Sequence, residues 1–165
     1  MKTRIGIVGL GGMAQRAYLP VLAGQESVDL AVLMSRRADA VERERARYRV
    51  PAGATDLAAF LRHDLQAAVV LTPSPTHFEI VQTLLQAGVD VLVEKPATLS
   101  SRETAQLGEL AERSGRVFMV AFNRRFAPLY QRAKDLLEGR RVGLCVAEKH
   151  REVHTAEEGD AGECA

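Results

Sequence analysis

A chain of 165 residues has room for one α/β domain and a short extension, and none for two full domains. Its residues are 47% apolar and 26% charged, as in a globular protein, and a net charge of +1 excludes an extended basic nucleic-acid surface. Cys145 and Cys164 are too few and too late in the chain for a disulfide framework, and they fit a reducing, cytoplasmic compartment. The start, MKTRIGIVGL, is basic but its apolar run is short and leads into glycines, so no export signal is expected. Uncharged stretches such as Leu65 to Phe78 are too short and polar for a membrane span, which needs about 20 apolar residues.

In chain order, Arg4 to Leu10 (RIGIVGL) reads as a buried parallel strand that feeds a tight glycine turn. Met13 to Ala23 has helical spacing, with Pro20 expected to kink or end the helix. Asp29 to Met34 is a second strand, and Arg37 to Arg49 an exposed, charged helix. Asp56 to Arg62 is a short helix, Ala67 to Leu71 a strand, Thr76 to Gln86 a helix and Val89 to Val93 a strand. Ser100 and Glu103 have capping-box spacing before a helix that runs to about Ser114 and ends at Gly115. Val117 to Ala121 is a further strand and Pro128 to Leu137 a further helix. This alternation predicts an α/β fold, a doubly wound parallel sheet covered on both faces. Arg141 to Glu148 reads as one more strand, and Glu157 to Ala165, small, acidic and glycine-containing, offers nothing to bury. The expected division is a nucleotide-binding domain over residues 1–139 and the start of a second unit over 140–165.

Gly9, Gly11 and Ala14 fit G-x-G-x-x-A directly after a strand and at the opening of a helix. There the glycines permit a tight turn and close approach of a pyrophosphate to backbone N–H groups, and the helix start favours an anion. The end of the second strand distinguishes cofactors: a carboxylate binds a ribose 2′-hydroxyl, whereas an arginine accommodates a 2′-phosphate. Here stand Ser35, Arg36 and Arg37, with no acid before Asp39, which favours NADP over NAD. The competing reading of these arginines is a solvated pair opening an exposed helix.

Leu71 to His77 (LTPSPTH) follows a strand at the crevice where open α/β sheets bind ligands. Thr76 is placed to cap the next helix, and His77 is either a cofactor contact or an exposed first-turn residue. Glu94, Lys95 and Pro96 end the following strand, so Lys95 is placed to steer a substrate hydroxyl or relay a proton. His150 and His154 are four apart, but a metal site needs more ligands, and none is expected.

Gly9-Leu10-Gly11-Gly12-Met13-Ala14, Thr72-Pro73 with Thr76-His77, Glu94-Lys95-Pro96 and Phe122-Asn123-Arg124-Arg125-Phe126 occur in an order and spacing that resemble the Gfo/Idh/MocA family of NAD(P)-dependent oxidoreductases. The resemblance spans residues 1 to about 150, and it implies the family's N-terminal Rossmann domain. It implies hydride transfer between a nicotinamide and a carbon of a sugar, inositol or related polyol. It also implies that Gly9, Gly11, Gly12, Met13 and Ala14 bind the pyrophosphate. Thr72, Pro73 and His77 would border ribose and nicotinamide, with Glu94 beside them, and Lys95 would touch substrate and cofactor as the catalytic candidate. Arg124 either lines the same cleft or is structural.

Family members carry in addition a second α/β domain, with most of the substrate pocket and a D-x-x-x-H segment bearing the catalytic histidine. That pattern is not found here, so turnover by this chain alone is not expected, and a second protein chain could complete the site. The rival readings are a non-catalytic nucleotide-binding or docking module, a methyltransferase, and a remnant without function. Ser35 and Arg36 stand against the methyltransferase, whose ribose site wants an acid.

Overall fold

The computed structural model describes residues 2–144 and 146. The chain divides into two compact units, residues 1–123 and 124–165. The first is built on six strands: β1 Thr3–Val8, β2 Val28–Met34, β3 Ala52–Ala54, β4 Ala67–Val70, β5 Asp90–Val93 and β6 Phe118–Val120. They lie in the order β3-β2-β1-β4-β5-β6, and every pairing is parallel. The order reverses between β1 and β4, which is where open α/β sheets bind their ligands.

Alternation along the central strands explains why they are apolar throughout. Val8, Val32, Ala68 and Val70 point into one core with Phe60, Val81, Leu84, Leu85 and Leu107. Ile7, Leu33 and Val69 point into the other with Ala14, Leu19 and Val41. A strand with helices on both faces has no side left for polar residues. The helices are α1 Leu19–Ala23, α2 Ala38–Tyr48, α3 Leu57–Phe60, α4 His77–Gln86 and α5 Ser101–Ser114.

The first helix opens unusually. Ala14–Tyr18 is a π turn, closed by the Leu19 N–H donating to the Ala14 carbonyl, and α1 continues from it with Pro20 in its first turn. Pro20 has no N–H to give to the carbonyl four residues earlier, so the ladder widens just before it, one recognised cause of a helix irregularity. The sequence reading expected Pro20 to kink or end the helix; the helix continues past it, with the π turn just before.

Several expectations are corrected. Strand β3 was not foreseen, because Ala52–Ala54 (AGA) has neither bulk nor alternation. It holds its place because Gly53 has no side chain: a Cβ there would stand 2.4 Å from Val41 Cγ1. The capping box is not formed, since Ser100 makes no side-chain cap. Thr98 takes over, its hydroxyl accepting from the Ser100 N–H at 3.2 Å and lying 2.9 Å from Thr104 Oγ1. Thr76 likewise makes no cap, and a 3-10 turn over Ser74–Thr76 precedes α4. Asp56, by contrast, caps α3 by accepting from the Ala59 N–H at 2.7 Å. Gly115 ends α5 in the left-handed region, φ 63°, as expected.

The second unit holds the end of a 3-10 turn over Asn123–Phe126 and helix α6, Pro128–Leu137. Residues 141–144 have no regular structure. Of the strand expected over Arg141 to Glu148, Cys145 and everything after Val146 lie outside the described residues, as do His150, His154 and Cys164. Among the described residues no helix is long and apolar enough to cross a membrane, and no cluster of three metal-ligating side chains occurs.

Candidate functional site

Val8, Met34, Val70 and Val93 pair across β2, β1, β4 and β5, so one row of residues crosses the sheet just before the strands end. The next row is Gly9, Ser35, Leu71 and Glu94, and backbone bonds continue into it. Gly9 N donates to the Met34 carbonyl at 2.9 Å, Leu71 N to the Val8 carbonyl at 2.7 Å and Glu94 N to the Val70 carbonyl at 2.9 Å. The register therefore brings the glycine turn, the Ser35–Arg37 segment, the Thr72 loop and the Glu94-Lys95-Pro96 segment to one edge. Three inter-strand spacings, about 14–15 Å, separate Ser35 from Glu94 along it.

Gly9 is required by the fold. Its φ is 95°, and a Cβ on it would stand 2.7 Å from the Leu71 carbonyl carbon and 2.8 Å from Thr72 N. The turns after β1 and β4 thus touch through a bare α-carbon, and any side chain would force them apart. Gly11 differs: a Cβ there would meet nothing within 4 Å. No contact within the chain requires glycine at that position, whereas close approach of a ligand to the backbone would. The Gln15 side chain fastens the turn by donating to the Leu10 carbonyl at 2.8 Å. Met13 is exposed at its rim and Ala14 is buried beneath it.

At the end of β2, Ser35 N donates to the Ala54 carbonyl at 3.2 Å, and Ser35 Oγ accepts from Arg37 N at 3.3 Å. The Arg37 guanidinium pairs with Asp39 at 3.1 Å, and its hydrogen bond holds the Asp39 carboxyl below the usual carboxylate range. Both side chains are exposed, so this ion pair adds little stability. Arg36 is exposed and has no anionic partner among the described residues.

The opposite side of the crevice is fastened internally. His77 is 1% exposed, with Nδ1 2.8 Å from the Pro96 carbonyl and Nε2 2.8 Å from the Thr72 carbonyl. It is therefore not the exposed first-turn residue of one sequence reading. A neutral imidazole has one N–H for these two acceptors, and an imidazolium has two. The ring sits between the loop after β4 and the loop after β5 and donates to at least one of the two carbonyls. The Thr76 hydroxyl donates to the Pro73 carbonyl at 2.8 Å and lies 2.8 Å from Thr72 Oγ1.

Glu94 uses both carboxylate oxygens within the chain: Oε1 accepts from the Tyr18 hydroxyl at 2.8 Å, and Oε2 from Lys95 N at 3.0 Å. Burial, and then the adjacent Glu94 carboxylate, push the Tyr18 hydroxyl above the ordinary tyrosine range. Lys95 is exposed, and its ammonium has no partner among the described residues. Pro73 is exposed beside the half-buried Thr72.

Arg124 stands in the second unit, where its Nη1 donates to Tyr130 Oη at 3.4 Å. Arg125 there lies over the Phe126 ring, 5.8 Å from its centroid. The sequence reading missed Tyr18 and Gln15. Gln15 is one residue past the glycine motif and was open to notice, whereas Tyr18 and Glu94 are 76 residues apart, and only the tertiary fold brings them together.

A family description, oxidoreductase family with an NAD-binding Rossmann fold (Gfo/Idh/MocA), matches residues 3–122. The oxidoreductase YceM of Salmonella typhimurium is 41% identical over 134 residues, 81% of this chain and 43% of that protein. The crystal structure of KijD10, a 3-ketoreductase from Actinomadura kijaniata in complex with NADP and TDP-benzene, superposes with a TM-score of 0.79. It is 28% identical, over 83% of this chain and 42% of that one. Scyllo-inositol dehydrogenase from Lactobacillus casei, with bound NAD(H) and scyllo-inositol, superposes with a TM-score of 0.77 at 25% identity, over 83% of this chain and 41% of that one. The chain thus spans about two fifths of the length of these proteins. On its motifs, its strand order and these matches, it belongs to the Gfo/Idh/MocA oxidoreductase family, whose NAD-binding Rossmann domain it carries.

Proposed function

We propose that this chain binds NADP(H), in preference to NAD(H), as the cofactor half of an oxidoreductase acting on a carbon of a sugar or polyol. The observation that carries the cofactor preference is the end of β2, where a serine hydroxyl stands with Arg36, which has no carboxylate partner among the described residues, and the first carboxylate, Asp39, is already paired with Arg37. A 2′-phosphate suits a guanidinium, which presents two parallel donors to it. A 2′-hydroxyl would want an acid that is not offered.

Gly9, Gly11, Gly12, Met13 and Ala14 would hold the pyrophosphate, and the bare face of Gly11 supports the fit, since it leaves the turn's backbone open. When bound, the nicotinamide supplies a two-electron hydride acceptor or donor. This chain's residues would set where it lies. Thr72 and Pro73 form one wall of the crevice, and His77 fixes that wall to the Glu94-Lys95-Pro96 segment. Tyr18 and the Lys95 N–H hold the Glu94 carboxylate, so Glu94 and His77 act on the cofactor through the loops they position. Lys95, exposed after β5, would donate to a substrate hydroxyl and favour its ionised form.

Hydride transfer also needs a substrate held in reacting geometry and an acceptor for its hydroxyl proton. We infer that a second α/β domain or a second chain supplies both, in the reducing interior of the cell. Arg124 is a further candidate for the cleft of the completed enzyme.

Replacing Ser35 with Asp and Arg36 with Ala tests the cofactor assignment. The expected result is a fall in NADPH affinity of about tenfold or more, with NADH unchanged or improved, because a charge-assisted pair is lost and a 2′-hydroxyl acceptor gained. An unchanged ratio of the two affinities would refute it.

A further inference from the structure

Arg16 lies in the π turn, four residues after Gly12, and is exposed. Its guanidinium rests against the face of Gly12: a Cβ built there would stand 2.9 Å from Nη2, 3.2 Å from Cζ and 3.5 Å from Nη1. The space that a side chain at residue 12 would occupy is thus taken by a cation. Arg4, Arg37, Arg43, Arg45, Arg113 and Arg116 each lie within ion-pairing distance of a carboxylate. Arg16 has no carboxylate or carbonyl partner among the described residues.

Its position narrows what it could pair with. Gln15, beside it, donates through its side chain to the Leu10 carbonyl, and its N–H to the Gly11 carbonyl at 3.1 Å. Two carbonyls of the turn are therefore already engaged, and the guanidinium lies against Gly12 at a helical start, where the first backbone N–H groups have no partner within the helix. A cation laid over backbone donors suits an anion with several oxygens and room on two sides. Arg36 stands instead on the β2 side, beyond the bond from Gly9 N to the Met34 carbonyl.

We propose that Arg16 is a binding residue for the pyrophosphate of the dinucleotide, which it would pair with from the helix side while Arg36 serves the 2′-phosphate. This rests on the dinucleotide reading above and adds a division of labour between two guanidiniums. Gly12 leaves the space in which the Arg16 guanidinium rests.

The test measures Kd for NADPH, NADH and ADP-ribose with the unsubstituted chain, Arg16→Gln, Arg16→Lys and Arg36→Ala, with a thermal melt of each variant. Arg16→Gln is expected to weaken all three ligands by a common factor of about ten, since each carries the pyrophosphate, and to leave the NADPH-to-NADH ratio unchanged. Arg16→Lys keeps the charge and is expected to fall between the two. Arg36→Ala is expected to weaken NADPH alone. Arg16→Gln affinities within about twofold of the unsubstituted chain for all three ligands would overturn the assignment. So would a loss confined to NADPH, which would move Arg16 to the 2′-phosphate. If the unsubstituted chain binds none of the three, the dinucleotide reading itself falls and this assignment with it. Arg16 is exposed, so the melts are expected to coincide, and Arg16→Lys decides the matter if Arg16→Gln does not fold.

Discussion

Past β1 and β2, the crevice edge ends in a bare Gly11 face and in two guanidiniums, Arg16 and Arg36, without carboxylate partners among the described residues. Past β4 and β5, both nitrogens of His77, both oxygens of Glu94 and the hydroxyl of Thr76 are engaged within the chain. Apart from the exposed Lys95 ammonium, the same crevice thus has one side with open hydrogen-bonding capacity and one side whose hydrogen-bonding groups are engaged within the chain. Motif residues that look alike in sequence therefore do two kinds of work. Gly11 and Arg36 leave capacity for a ligand, while Gly9, His77 and Glu94 spend theirs on holding the loops where a ligand would find them.

Substitutions should break this contrast in opposite ways. The largest effect is expected at Gly9→Ala, which places a methyl group 2.7 Å from the Leu71 backbone at a φ of 95°. It should cost about 3 kcal/mol of unfolding free energy, read from a urea titration. His77→Leu keeps the bulk but removes the donor to the Thr72 or Pro96 carbonyl, and should cost about 2–3 kcal/mol in the same titration. Gly11→Ala should do the reverse of both. Its methyl meets nothing in the chain, so stability should stay within about 0.5 kcal/mol, while dinucleotide affinity falls by about tenfold or more. A Gly11→Ala protein that loses stability and keeps its ligand would erase the distinction between the two sides.

Tyr18→Phe should have the smallest effect, about 1 kcal/mol for one hydrogen bond to Glu94. It also carries a pH signature. The Tyr18 hydroxyl is raised above its unfolded value, so its contribution is complete below the ordinary tyrosine range near pH 10 and is lost as pH climbs from there through the raised value. An ultraviolet titration should show one late tyrosine ionisation that Tyr18→Phe lacks. Stability curves of the two proteins should converge as pH rises through that window.

Much of the fold was legible in the sequence because parallel strands buried on both faces announce themselves as short apolar runs. The glycine turn, β1, β2, β4, β5 and the helices after them were all foreseen. Strand β3 was not, because its three residues qualify through their smallness beneath Val41 and Arg45 and carry no pattern of their own. The capping box failed for a related reason: Thr98, two residues before Ser100, satisfies the loop first.

In the candidate site, sequence identified which segments meet at the crevice, since each follows a strand. It could not separate the locked residues from the open ones. Whether His77 is solvated or buried depends on a carbonyl 19 residues further along, and the state of Glu94 depends on a tyrosine in the first helix. Those partners are set by how the π turn and α4 pack in the tertiary fold, which no local spacing encodes.

The most direct test of the account is a titration of the 165-residue chain with NADPH and with NADH, followed by protein fluorescence and by the rise in melting temperature that ligand binding produces. Saturable binding of both, with NADPH the tighter by about tenfold, is the expected result. Failure of either dinucleotide to bind or to raise the melting temperature would contradict it, and would leave the open side of the crevice as a preserved shape without a ligand.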